Sequence, residues 1–141
     1  MASKFIGALA GAAAIVLSGF MGMAPTQAAA PHVGCHGSGC KGKDPQLMGC
    51  APGAFTGARK VTPDGRLLEL RYSAACGAAW GRVGKARAGD YVAVYSGTGK
   101  EGYGTYVDGS HTWTKMVQDG GSNMAYATYG SSCCDSVTAS Y

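Results

Sequence analysis

The sequence predicts an all-β fold: a small antiparallel barrel or sandwich of six to seven strands, disulfide-stabilised, with an extended N-terminal arm. Three observations lead there. Short strand-like runs recur at roughly 8–12 residue spacing between turn signals, the rhythm of sandwiches and barrels. No stretch beyond residue 28 carries a convincing helical period. All six cysteines also fall beyond that point, and an even cysteine count in a short exported chain reads as a disulfide framework.

Residues 1–28 read as a signal peptide. Lys4 supplies the positive start, Phe5 to Phe20 is an uncharged run, and Thr26-Gln27-Ala28 offers the small side chains a signal peptidase needs. Pro31 disfavours a cut after Ala30. Glycines punctuate the run and no basic stop-transfer cluster follows it, which argues against a membrane anchor. The processed chain is therefore expected to be secreted, with no membrane association after cleavage. About 113 residues then form one domain whose modest core gains from covalent staples. Eleven basic and eight acidic residues remain, interspersed and without runs. That pattern excludes a nucleic-acid footprint.

Residues 29–53 form the arm. Glycine stands at 34, 37, 39, 42, 49 and 53, proline at 31, 45 and 52, and there is no hydrophobic period. Such a segment cannot build a helix or bury a face by itself, so its order must come from Cys35, Cys40 and Cys50.

Residues 54–129 form the β-domain. Ala54 to Val61 leads into Thr62-Pro63-Asp64-Gly65, a turn with proline at its second position and glycine at its fourth. Arg66 to Ser73 alternates, with Leu68, Leu70 and Tyr72 on one face and Leu67, Glu69 and Arg71 on the other. Ala78 to Val83 follows, with Trp80 and Arg82 sharing a face. Tyr91 to Tyr95 is the most strand-like run in the chain. Ser96 to Gly102 is a loop. Tyr103 to Asp108, Thr112 to Gln118 and Asn123 to Tyr129 complete the set, with turns at Asp108-Gly109 and Asp119-Gly120-Gly121. The tail, 130–141, is polar and frays unless Cys133 or Cys134 fastens it.

Two strings stand out within this frame: Gly42-Lys43-Asp44-Pro45 with Cys50, and Leu70-Arg71-Tyr72-Ser73 followed by Cys76, Ala78, Trp80 and Arg82. Together they resemble the family known as domain of unknown function 2690, over roughly residues 34–129. The resemblance implies a small exported protein of the actinobacterial and bacillar kind, with relatives attached to helix-turn-helix regulators. It implies no catalytic residues. The Cys133-Cys134 tail departs from the family pattern. Physically, Tyr72 and Trp80 are large anchors suited to packing on either side of a bridge at Cys76, with Arg82 as the third member of that structural core. A bridge from Cys50 to Cys76 would close a loop of about 26 residues, worth around 3 kcal/mol in chain entropy. Arg71 and Arg82 would flank it and could pair with Glu69 or Asp90.

Specific chemistries fare poorly. His32, Cys35, His36 and Cys40 offer enough ligand types for zinc, but their spacing fits no usual knuckle, and a Cys35–Cys40 bridge or a longer-range pairing suits the oxidising setting better. No metal or cofactor is expected. No serine has the Gly-x-Ser-x-Gly context of a nucleophile elbow, and His111 reads as an exposed turn residue. Paired carboxylates for glycoside hydrolysis lack support, because the aspartates sit in turns. Non-enzymatic binding fits better. Seven aromatics crowd the second half, about half of them expected to face inward, leaving the rest for a binding face.

The arm carries the sharper expectation. A stapled, glycine-rich extension can add to a partner or lie in its cleft at reduced ordering cost. The sequence thus predicts a secreted module that binds an extracellular protein partner through His32, Val33, His36, Lys41, Lys43, Leu47 and Met48. An adaptor role in an exported complex, such as one used against competing bacteria, suits this reading. The alternatives are a secreted peptidase inhibitor presenting the region between Cys35 and Cys50, or a carbohydrate or cell-wall binder using a Tyr/Trp face.

Overall fold

The computed structural model describes residues 32–97, 99–119 and 124–141. The leader at 1–28, the first arm residues through Pro31, the turn glycines Gly120 and Gly121, and Asn123 lie outside these. The strands are β1 (Phe55–Val61), β2 (Leu67–Ser73), β3 (Ala78–Gly84), β4 (Tyr91–Tyr95), β5 (Gly102–Tyr106), β6 (Val117–Gln118), β7 (Tyr126–Gly130) and β8 (Asp135–Val137). One 3-10 turn, Gly37–Cys40, is the sole helical element among the described residues. The count is eight rather than six to seven. The additional strand is β8, whose Asp-Ser-Val carries no apolar run and pairs with β7 along Thr128–Val137, Tyr129–Ser136 and Gly130–Asp135.

All pairings are antiparallel, in two four-stranded sheets ordered β1-β2-β3-β6 and β5-β4-β7-β8. The alternation read in β2 holds. Leu68 and Leu70 turn inward with Ala79 and Val83 of β3, against Val92 and Val94 of β4 and Ala127 and Tyr129 of β7. The two sheets approach closely at Gly81. A Cβ there would stand 3.1 Å from the Ala93 carbonyl oxygen and 3.2 Å from a Val92 methyl.

An ionic corner closes one end of this sandwich. Tyr129 crosses from β7 and donates its hydroxyl to Asp64 at 2.7 Å, in the turn between β1 and β2. The Thr62 hydroxyl and then the Tyr129 hydroxyl hold the Asp64 carboxyl below its ordinary range. Arg66 beside it donates to Asp90 at 3.1 Å, and Asp90 also accepts the Arg87 amide at 2.9 Å. The turn aspartates thus do backbone and cross-sheet work, as their positions predict.

A second core lies outside the sandwich. On the outer face of the first sheet, Ala78 and Trp80 pack with Met116 and with Cys40, Cys50 and Cys76, and the arm residues Val33, Cys35, Met48 and Ala51 cover them. Disulfides join Cys35 to Cys40 and Cys50 to Cys76, and the third joins Cys133 to Cys134. Backbone bonds complete the seam: Gly37 donates to Cys76, Gly42 to Met116 and Met116 to Lys43. The arm is therefore a third layer laid against one sheet.

Three sequence readings need adjustment. Arg82 is no core residue: its side chain is 45% exposed and grips Glu69 from the rim. Of the seven aromatics in the second half, only Tyr129 and Tyr103 join the inner core, not about half, because valine, alanine and the leucines of β2 already fill it. The tail does not fray at its end. Tyr141 exchanges two backbone hydrogen bonds with Ala125, and its ring lies on Gly57 of β1 beside Phe55 and Tyr72. That contact joins the edges of the two sheets.

Replacing Cys50 and Cys76 together by alanine is expected to cost about 3 kcal/mol, because a 26-residue loop is released. The Cys35–Cys40 loop spans 5 residues, so the same change there should cost about 2 kcal/mol. Thermal unfolding of the two double variants, compared with the parent, checks the ranking.

Candidate binding site

The arm owes its outer shape to Asp44. Its Oδ1 accepts the amides of Gln46 at 2.8 Å and Leu47 at 3.1 Å, winding the chain into a side-chain-capped turn. The buried Pro45 presents its carbonyl to the amides of Cys50 and Ala51, which closes the loop onto the Cys50–Cys76 bridge. Gly49 makes the return possible. Its φ is +68°, and a Cβ would press within 2.7 Å of the His32 carbonyl. Leu47 is left at the tip, 81% exposed. A large apolar side chain that exposed, on a loop this tightly tied, is held out by the backbone.

Asp44 also reaches across the molecule. Its Oδ2 accepts the indole N–H of Trp113 at 3.1 Å, and His111 stacks on that indole with ring centroids 4.7 Å apart. Trp113 comes to this place through a slip in strand pairing. Val117 stands opposite Ala79, but Trp113 rather than Thr114 stands opposite Arg82. One extra residue in the β6 side of the ladder turns the indole to the outer face. The Thr114 hydroxyl compensates by accepting the Gly81 amide at 3.0 Å.

Between the arm and the sheet lies an open groove of about 170 Å³, lined by Trp80, Trp113, Arg71, Arg82, Gln46 and Ala51. Its two guanidiniums are oriented from behind. Arg82 donates Nε and a terminal nitrogen to Glu69 at 2.7 and 2.6 Å. Arg71 donates to the Thr56 hydroxyl at 2.6 Å and the Ala54 carbonyl at 2.9 Å, and Thr56 in turn donates to Glu69. Two indoles and two braced guanidiniums facing one groove make a surface suited to binding planar or anionic groups.

The predicted arm residues divide. Leu47 and Lys43 face outward, as do His32 and His36. Lys41 is exposed and pairs with Glu101 at 2.8 Å. Val33 and Met48 turn inward onto the second core and fasten the arm. The sequence reading missed Gln46, Arg71 and Trp113 as members of one face. Trp113 lies 69 residues from Asp44, and no local pattern announces that bond. Asp90, offered by the sequence as a possible partner of Arg71 or Arg82, is engaged instead by Arg66 and the Arg87 amide.

Charge follows geometry. Burial alone would raise the Asp44 carboxyl, but the Leu47 amide, the Trp113 indole, the Gln46 amide and His111 outweigh it and hold the group below its ordinary 3.8. Asp108 is held at about 2 by the His111 amide and by the hydroxyl and amide of Ser110. Both values are depressed on folding, so each carboxylate's contribution is complete above pH 3.8 and is lost as pH falls through the folded value. The part of the Trp113 indole N–H shift that reports Asp44 is expected below pH 3.8, and that of the Ser110 and His111 amides reporting Asp108 with a midpoint near 2. Asp44→Asn should abolish the first titration and leave the second. A proton NMR titration of the two proteins checks both.

Residues 38–128 match the family described as protein of unknown function (DUF2690). No curated protein and no solved structure matches the chain. The matched span takes in most of the arm, all strands from β1 to β6, and both partners of the Asp44–Trp113 bond. It covers well over half of the sequence, and the chain belongs to the DUF2690 family.

Proposed function

We propose that this protein is an exported, non-catalytic module that captures another extracellular protein, docking through the outer side of its stapled arm. One observation carries the reading. Leu47 stands 81% exposed on a loop fixed by Asp44, Pro45 and the Cys50–Cys76 bridge, immediately beside the groove of Trp113, Arg71 and Arg82. An apolar knob on a rigid loop next to tryptophan and arginine is the composition of a binding hot spot. Because the loop is already ordered, little conformational entropy is lost on docking.

The partner's chemistry follows from the charges. Asp44 is held by neutral donors and Glu69 is paired with Arg82, so with Arg71 and the exposed Lys43 and Lys115 the basic groups on this side of the molecule outnumber the acidic ones. The complementary surface is an apolar socket with an acidic rim. An adaptor subunit of an exported complex fits this arrangement. Export itself is supported by the leader-like composition of residues 1–28 and by three disulfides. A non-catalytic role is supported by the pairing of all six cysteines and by the structural engagement of Asp44, Asp64, Asp90 and Glu69.

A glycan-binding reading has one observation of its own. On the outer face of the second sheet, Tyr91 packs against Tyr106 and Tyr95 stacks on Tyr126, with centroids 5.1 and 5.4 Å apart. Tyr91 lies over Gly104 and Tyr95 over Gly102, covering the buried Ala93, so the rings make one aromatic surface. Sugars stack on such platforms.

The two faces separate by mutation. Leu47→Asp should weaken capture of the protein partner from culture supernatant roughly 30-fold, the equivalent of about 2 kcal/mol. Tyr106→Ala should leave that capture unchanged. Unchanged capture with Leu47→Asp would remove the arm from the interface. Sedimentation with peptidoglycan that is lost on Tyr106→Ala would transfer the function to the tyrosine face, and stoichiometric block of a protease would make the loop an inhibitor.

A further inference from the structure

The two disulfides of the arm are in contact with each other. The Sγ atoms of Cys35, Cys40, Cys50 and Cys76 all lie within 4.8 Å of one another, and the non-bonded pair Cys35 and Cys50 is 3.9 Å apart. Four sulfurs that come from the 3-10 turn and the chain just before it, the arm's end and the β2–β3 connection have been gathered into one cluster. Cys40, Cys50 and Cys76 are fully buried, and Cys35 sits at the surface of the cluster. Ala78, Trp80 and Met116 pack round it, so water has little access.

The spacing has a chemical meaning. A tetrahedral zinc site with Zn–S bonds of about 2.3 Å has sulfur–sulfur edges of about 3.8 Å. The Cys35–Cys50 contact already stands at such an edge. A disulfide holds its sulfurs about 2.05 Å apart. The two bonded pairs would have to open, each by about 1.7 Å, and the remaining pairs, which already lie within 4.8 Å, would close by at most about 1 Å for all four to reach tetrahedral separation.

We propose that Cys35, Cys40, Cys50 and Cys76, once reduced, form a tetrathiolate site for a single thiophilic divalent metal such as Zn²⁺. The same four sulfurs then close the arm onto the sheet in either of two forms. The step balances with a dithiol reductant. Each S–S bond breaks as one dithiol gives two electrons and two protons and becomes a cyclic disulfide. Two such reactions yield four thiols, and Zn²⁺ then displaces their four protons. Reduction starts at Cys35, the accessible member, because Cys40, Cys50 and Cys76 are out of reach of a large reductant. The set differs from the His32, Cys35, His36 and Cys40 combination suggested by proximity in sequence: two of its four ligands come from Cys50 and Cys76.

The test uses the full chain carrying Cys133→Ser and Cys134→Ser, reduced without oxygen by a phosphine. The phosphine takes up an oxygen atom from water and leaves no competing thiol. Titration with Co²⁺ should give one metal per chain, with sulfur-to-cobalt charge transfer and the intense visible bands of a tetrahedral centre, and Zn²⁺ should displace it. The near-UV circular dichroism of the packed tryptophans should return with the metal, and all four thiols should resist alkylation. Adding Cys76→Ser should lose the one-to-one tetrahedral spectrum. Absence of binding, weak octahedral bands, or a spectrum unchanged by Cys76→Ser would overturn the proposal. Binding without return of the near-UV signal would overturn it too, because a disordered chain with four thiols also captures metal.

Discussion

The contact between the Cys50–Cys76 bridge and the outer face of the first sheet is the constraint on which the rest of this protein depends. The arm has almost no means of ordering itself. Its glycines raise the entropy of the free chain, and its apolar residues are too few to make a core. One covalent bond to the β2–β3 connection places Cys50 against Ala78 and Trp80, and Val33, Met48 and Met116 close around it. Asp44 can then find Trp113. Without that bridge the glycine-rich arm would be held to the sheet only by a few backbone hydrogen bonds and the packing of Val33 and Met48.

A division of labour follows. The inner core, built from valine, alanine and the leucines of β2, holds the sheets and is capped at one end by Asp64, Arg66, Asp90 and Tyr129. The outer core holds the arm. The polar face between arm and sheet belongs to neither, and its charged groups are kept in place by one another: Arg82 by Glu69, Arg71 by Thr56, Trp113 by Asp44. Groups braced in this way can meet a ligand with little reorganisation.

Much of the fold was legible in the sequence. Alternation in β2, the β-branched run of β4 and the Pro-Asp-Gly turn each express a local rule, and each appears where the rule puts it. The Cys50–Cys76 bridge was one of the pairings the sequence offered without fixing connectivity, and the Glu69–Arg82 bond, one of two partnerships considered, joins residues opposite each other on β2 and β3. What escaped was whatever depends on distant residues meeting. Strand β8 has no pattern of its own and exists because β7 offers it an edge. Trp113 owes its place to a single slip in register, and Leu47 its exposure to a turn that Asp44 imposes. The close packing of two disulfides has no local signature at all.

The arm's attachment also determines how the protein bears tension. A partner gripping the loop around Leu47 would pull through Cys50 into Cys76, and from there directly into the turn joining β2 and β3. The load would then be shared between the middle of the sheet, reached through the disulfide, and edge strand β1, reached along the backbone from Cys50. With the bridge intact, force on the arm reaches two points of the first sheet rather than its edge strand alone.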